Sequence, residues 1–211
     1  MRNLFFLMAL SLLVITHTKT VFADSEIPPH TYRIVSKDKK YTFVMRQDSD
    51  ARTYQLCRKG QPCLVSGEQI ETLLVYPKSG LYSNDAVPKP LWTVDWYAYQ
   101  VYLSADGVHV ARMGPWARLS PSKTMLNQEV AKEELAQLAV AFYENGVMIK
   151  EYSIADVIKE KSRLPQSISH FMWYTSVTFD DEQELLSITT TDNEKCTFDL
   201  KTGVLIERKS L

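Results

Sequence analysis

Glycine is scarce: the chain has seven in 211 residues. None forms a Gly-rich loop opening a helix, so the loops that cradle nucleotide phosphates have no material here. Histidine is scarce as well. Of four, His30, His109 and His170 lie beyond the first 23 residues, and none has His-x-x-x-His spacing or a Cys pair beside it. The zinc patterns are therefore missing, and neither a metal nor a cofactor is expected. Gly-x-Ser-x-Gly and His-Glu-x-x-His are missing too, which removes the commonest hydrolase signatures. Positive charge is not in excess. Setting aside residues 1–23 removes Arg2 and Lys19 and no acid, leaving 22 basic against 25 acidic residues, a net −3. Nucleic-acid binding needs a basic face and is not expected. No Gly/Ser-rich or Pro-rich linker interrupts the chain, so 24–211 reads as one domain.

The start of the chain is organised differently. Arg2 precedes an apolar run of twelve residues, Leu4 to Ile15, and a small-residue ending at Val21-Phe22-Ala23. This order is that of a secretory signal peptide, and the run is short of the ~20 residues that span a bilayer. The expectation is a signal peptide over 1–23, export to the periplasm or medium, and no stable membrane insertion after cleavage.

Export gives the cysteines a meaning. Cys57 and Cys63 bracket Arg-Lys-Gly-Gln-Pro, and in an oxidising compartment this reads as a hairpin tip closed by a disulfide. So short a loop gains about 2 kcal/mol on the chain-entropy estimate. Cys196, left over in "EKCTFDL", falls on the apolar side of an alternating run and reads as a buried small hydrophobe.

Apolar residues alternate along most of the chain, as in "TYRIVS", "YTFVMR", "VHVARM", "LLSITT" and "VLIERK". Turn sequences such as Ala105-Asp106-Gly107, Glu144-Asn145-Gly146 and Lys201-Thr202-Gly203 punctuate them. The fold class is all-β, built from repeated four-stranded antiparallel meanders. Units beginning near Thr31, Leu91 and Phe171 are legible, the first filling 31–65. "AFYENGVMI" and "TFDLKTGVLI" join the third and fourth strands of the later two. Two insertions carry one or two short helices, over 127–137 and after Ser153, whose side chain suits an N-cap.

This meander, with Asp-Gly after a first strand and "x-F-D-x-x-T-G-x" between later ones, resembles the blades of quinoprotein-type β-propellers. The resemblance implies a small or incomplete propeller, with a β-sandwich as the alternative. "LWTVDWYA", the Asp-Gly turn and "GPWA" together also resemble a group of uncharacterised exported bacterial proteins, which implies no activity.

The aromatic stretch from Pro90 to Ala117 is the candidate site. Read as the first strand of the middle unit, it puts Trp92, Val94, Trp96 and Ala98 on one face and Asp95, Tyr97 and Tyr99 on the other. The first row suits the core, and the tryptophans Trp96 and Trp173 echo one another. The second row, with Asn84 and Asp85 on the approach to it, suits binding of a protein or a carbohydrate. Trp116, after the rigid Gly114-Pro115, is expected to pack under the helical insertion. The expected function is a non-enzymatic binding protein. The alternative is a glycan hydrolase drawing paired carboxylates from Asp95, Asp85 or Asp180 to Glu184.

Overall fold

The computed structural model describes residues 26–85, 88–120, 129–162 and 164–211; residues 1–23, expected to be a signal peptide, lie outside them. Twelve strands form three sheets. The first contains β1 (Tyr32–Val35), β2 (Tyr41–Met45), β3 (Gly80–Ser83) and β4 (Pro90–Thr93). The second contains β5 (Val101–Leu103), β6 (His109–Met113), β7 (Leu138–Glu144) and β8 (Val147–Ser153). The third contains β9 (Tyr174–Asp180), β10 (Leu185–Thr190), β11 (Glu194–Asp199) and β12 (Leu205–Ser210). Each sheet runs from first strand to fourth without a crossover, and every pairing is antiparallel. The protein is all-β, with three four-stranded meanders. Four short helices, α1 (Asp48–Cys57), α2 (Gly67–Val75), α3 (Lys132–Leu135) and α4 (Ile154–Val157), sit in the connections.

The second sheet packs on the first with one face and on the third with the other, and the hairpin tips of the first and third also meet, at the Lys37–Glu182 ion pair. Val101, Leu103, Val110, Ala141 and Tyr143 meet Phe43, Met45 and Leu81 of the first sheet. From the other face, Ala111, Met113, Val140 and Phe142 meet Leu186, Ile188, Cys196 and Phe198 of the third. Burial on both faces is why β7 reads Leu-Ala-Val-Ala-Phe-Tyr, continuous rather than alternating. The seams are tight at turn glycines. Gly107 is at φ +71, and a Cβ there would lie 2.8 Å from the Tyr41 ring; Gly203 is at φ +67, with Lys150 Cβ at 2.6 Å. The outer surfaces of the stack are finished in two ways. On the first sheet, Val44 and Tyr82 pack with Tyr76, which follows α2. On the third, register aligns Thr178, Ser187, Thr197 and Glu207 in one polar row.

Three hairpins share a turn that the apolar pattern does not reveal. Ser36, Ser104 and Thr190 each donate a hydroxyl to the Asp two residues on, Asp38, Asp106 and Asp192. Each also accepts from the backbone beyond the turn, at Tyr41, His109 and Glu194. The third residue after each hydroxyl, Lys39, Gly107 and Asn193, is left-handed. These bonds hold all three carboxyls below the usual range; at Asp38 the Ser36 bond is the main cause, while at Asp106 and Asp192 the bonds overcome an opposing effect of burial.

Several expectations are corrected. The first unit is not a meander over 31–65: α1 and α2 interrupt it, and its third and fourth strands come at 80–93. The Cys57–Cys63 disulfide forms, with Cα atoms 4.9 Å apart, but it closes the loop at the C-terminal end of α1 rather than a hairpin tip. The aromatic stretch is not the first strand of the middle sheet. Trp92 belongs to β4, residues 94–100 form the connection, and the second sheet begins at Val101. Trp173 immediately precedes β9 whereas Trp96 stands five residues before β5, so the two tryptophans occupy different places. Of the helix expected over 127–137, α3 is what forms among the described residues; residues 121–128 lie outside them. Cys196 is fully buried, and burial pushes its thiol up.

Candidate functional site

The chain after β6 is turned by Gly114, whose N–H donates to Ala139 O at 2.7 Å. A Cβ at 114 would overlap the Leu138 carbonyl, so only glycine permits this approach. Pro115 then projects Trp116 toward the segment that leads into β9. Two backbone bonds hold the segments together, Phe171 N to Ala117 O (3.0 Å) and Leu119 N to Ser169 O (2.9 Å). Trp116 lies against His170 with ring centroids 4.3 Å apart. The His170 ring is fixed by Ser167, whose Oγ meets its Nδ1 within a single turn.

These residues form one wall of a cleft of about 410 Å³. Met113, Phe171 and Trp173 contribute apolar surface, with Tyr174 and Thr175 from the start of β9, Tyr99 and Gln100 before β5, and Glu26 and Ile27. The N-terminal segment is tied across it. Tyr99 Oη donates to Glu26 Oε1 (3.0 Å), and Arg118 Nη2 donates to Glu26 Oε2 (2.7 Å). Burial, and then Glu26, push the Tyr99 phenol up to about 12. Tyr97 packs edge-on to Tyr99 with centroids 5.2 Å apart. Its hydroxyl accepts from His30 N (2.9 Å) and donates to His30 O (3.0 Å). An apolar, aromatic-walled concavity with a few fixed polar groups has the make-up of a ligand site.

The sequence-predicted residues do not converge. Tyr99 lines this cleft. Asp95 and Tyr97 line a second, open one of about 730 Å³ with Arg46, Asp48, Lys78 and Trp96. Asn84 and Asp85 line neither. Asn84 Oδ1 accepts from Thr42 and its amide donates to Lys39 O, so it braces the β1–β2 hairpin, and Asp85 accepts from Ser83. Asp180 accepts from the N–H groups of Glu182 and Gln183, Glu182 pairs with Lys37 and Glu184 with Lys201. Asp180, Glu182 and Glu184 are thus held in a turn and in ion pairs, and Asp180 to Glu182 border a third, open cleft of about 630 Å³ with Lys37, Lys195 and Glu207. Trp96 is held by Phe43, Tyr143 and the Arg112 guanidinium, 4.6 Å from its ring centre. Trp116 is a cleft wall, and residues 121–128 of the insertion it was expected to pack under lie outside the described residues. Trp116, His170, Trp173, Tyr174 and Glu26 were not foreseen as site residues, and Gly114-Pro115-Trp116 was the one local signal.

Neither the known protein families nor the curated proteins contain a match to this sequence.

Proposed function

We propose that the protein is an exported, non-enzymatic binding protein whose cleft between the second and third sheets takes an apolar or aromatic group of a protein or carbohydrate partner. The carrying observation is the convergence of Tyr99, Trp116, Trp173 and Tyr174 on one cleft rimmed by Glu26 and His170. Aromatic anchors give large contact area at small entropy cost. Export is supported by the signal-like N-terminus and by the disulfide. The first-to-fourth strand order of each sheet is that of a propeller blade, which supports the blade-like reading of the repeats.

The test is titration with p-cresol, standing for an apolar ring, and methyl glucoside, standing for a sugar, followed by backbone amide shifts. One of the two shifts residues 99–100, 113–117 and 170–175, and Trp116→Ala abolishes the effect. If neither perturbs these amides at about 10 mM, weaker than any useful site, the cleft is not a binding site. The rival glycan hydrolase draws its support from the second cleft, where Asp48 and Asp95 share a rim with Trp96 and Tyr97. Turnover of an aryl glycoside that disappears in Asp95→Asn would establish it instead.

A further inference from the structure

Six strands lie at the edges of the three sheets, and five carry a device that discourages pairing with another chain. β1 contains Arg33, β4 opens with Pro90, β5 has three residues, β8 contains Lys150 and Glu151, and β12 contains Glu207, Arg208 and Lys209. β9 is different. It has seven residues, and its one charge, Asp180, stands at the end away from the cleft, leaving six consecutive residues, Tyr174 to Phe179, with neither a charge nor a proline. Among the described residues, its backbone makes no hydrogen bond outside its pairing with β10. Its first two residues, Tyr174 and Thr175, line the aromatic cleft. A long unprotected edge thus opens directly onto an apolar pocket.

We propose that β9 pairs with an extended peptide segment of another protein, which adds a fifth strand to the third sheet and seats a large apolar side chain in the cleft. This rests on the cleft being the binding site. Backbone pairing supplies affinity in such recognition, while pockets for alternate side chains supply selectivity. The sheet determines the pattern of the partner. Side chains on one face of the added strand continue the row of Val177 and Phe179, beside Tyr102, whose ring lies 5.7 Å from that of Phe179. Those on the other face continue the hydroxyl row of Thr178, Ser187 and Thr197. The segment therefore alternates apolar with Ser or Thr residues and carries an aromatic or large aliphatic residue at one end. A second copy of the chain is a poorer occupant, because β9 paired antiparallel with itself about Val177 sets the partner copy's acidic end, from Asp180 onward, opposite Tyr174 at the cleft that Glu26 also lines, acid against acid.

The probe is a synthetic peptide, Lys-Lys-Thr-Val-Ser-Val-Thr-Phe, titrated into the full mature protein. The expected result is saturable binding, slowed hydrogen–deuterium exchange over residues 174–180, and about tenfold weaker binding of the same peptide N-methylated at alternate residues. Thr178→Lys, an edge charge, weakens binding without altering the melting temperature, and Trp116→Ala weakens it as well. Equal affinity of the N-methylated peptide, or binding with no protection in β9, overturns strand addition; Trp116 dependence in that case leaves the cleft reading intact. Absence of binding at about 1 mM peptide overturns it too, with the cresol and glucoside titrations deciding the cleft separately. Concentration-dependent dimers whose β9 amides are protected without peptide assign the edge to a second copy and also overturn the proposal.

Discussion

Replacing Gly203 with alanine tests the stacking of the sheets directly. Gly203 sits at φ +67 in the turn between β11 and β12, and a Cβ there would lie 2.6 Å from Lys150 Cβ and 3.0 Å from the Phe142 ring. Lys150 Cβ is fixed to strand β8 and cannot swing aside, so the third sheet must move off the second. Two costs combine: left-handed backbone for a non-glycine residue, about 1 kcal/mol, and overpacking of a seam, about 1–3 kcal/mol. Gly60 separates them. It has φ +85 but nothing within 4 Å of a built Cβ, so Gly60→Ala carries the backbone cost alone, about 1 kcal/mol. Urea unfolding by circular dichroism, with the disulfide intact, then gives a loss of about 2–4 kcal/mol for Gly203→Ala and the smaller loss for Gly60→Ala. If the two agree within about 0.5 kcal/mol, the precision of such extrapolations, the turn does not nest on the second sheet and the stacking argument fails. Gly107→Ala, with the Tyr41 ring at 2.8 Å, repeats the test at the other seam.

Trp173→Ala costs about 3–5 kcal/mol because the side chain is 3% exposed in the core between sheets, whereas Trp116→Ala leaves the urea midpoint nearly unchanged while removing cleft binding; the same unfolding curves distinguish them. Alkylation and intact mass without reductant find one thiol, Cys196, and that one reacts only after unfolding, since it is buried; reduction of Cys57–Cys63 costs about 2 kcal/mol. The lowered carboxyls of Asp38, Asp106 and Asp192 contribute stability that is complete above the ordinary carboxyl value near 4 and is lost as pH falls through their lower native values. Melting temperature is therefore flat above about pH 5 and declines below about pH 4, and Asp106→Asn makes that acid decline shallower.

The strands were legible in the sequence because one face of most of them is buried, which imposes alternation. The helices of the first unit were not. α1 has no buried residue and no side-chain cap, and Arg52-Thr53-Tyr54-Gln55-Leu56 alternates as a strand would, so its period gave the wrong answer. α2 did leave a mark: Ser66 and Gln69 form a reciprocal capping box, a spacing that can be read before any apolar pattern. The Trp92 to Tyr99 stretch also alternates, yet its tyrosines are claimed by His30 and Glu26, some 70 residues away, and such long-range bonds leave no local trace. The same holds for the cleft, whose walls come from residues 26–27, 99–100, 113–117 and 170–175. Each segment is unremarkable alone.

How the stack is finished bears on how a partner reaches it. A sheet recruits another through an apolar face, and both inner faces are already spent on the middle sheet. The outer face of the first sheet is covered by Tyr76 and the helical layer. That of the third is a polar row in which buried Ser187 and Thr197 bond each other at 3.1 Å between exposed Thr178 and Glu207, so it offers little apolar surface to bury. Face-to-face growth therefore has no driving force at either end. What remains are the strand edges, and their composition is uneven: charge, proline or shortness at five, and at β9 six uncharged residues before a single terminal charge, Asp180. An edge left unblunted beside an aromatic cleft would be an aggregation hazard unless something occupies it. Chance neglect of one edge does not explain why it is also the edge whose first residues line the cleft. Binding of an extended segment explains both features together, and it places the specificity in Trp116 and its neighbours rather than in the row of Tyr97 and Tyr99.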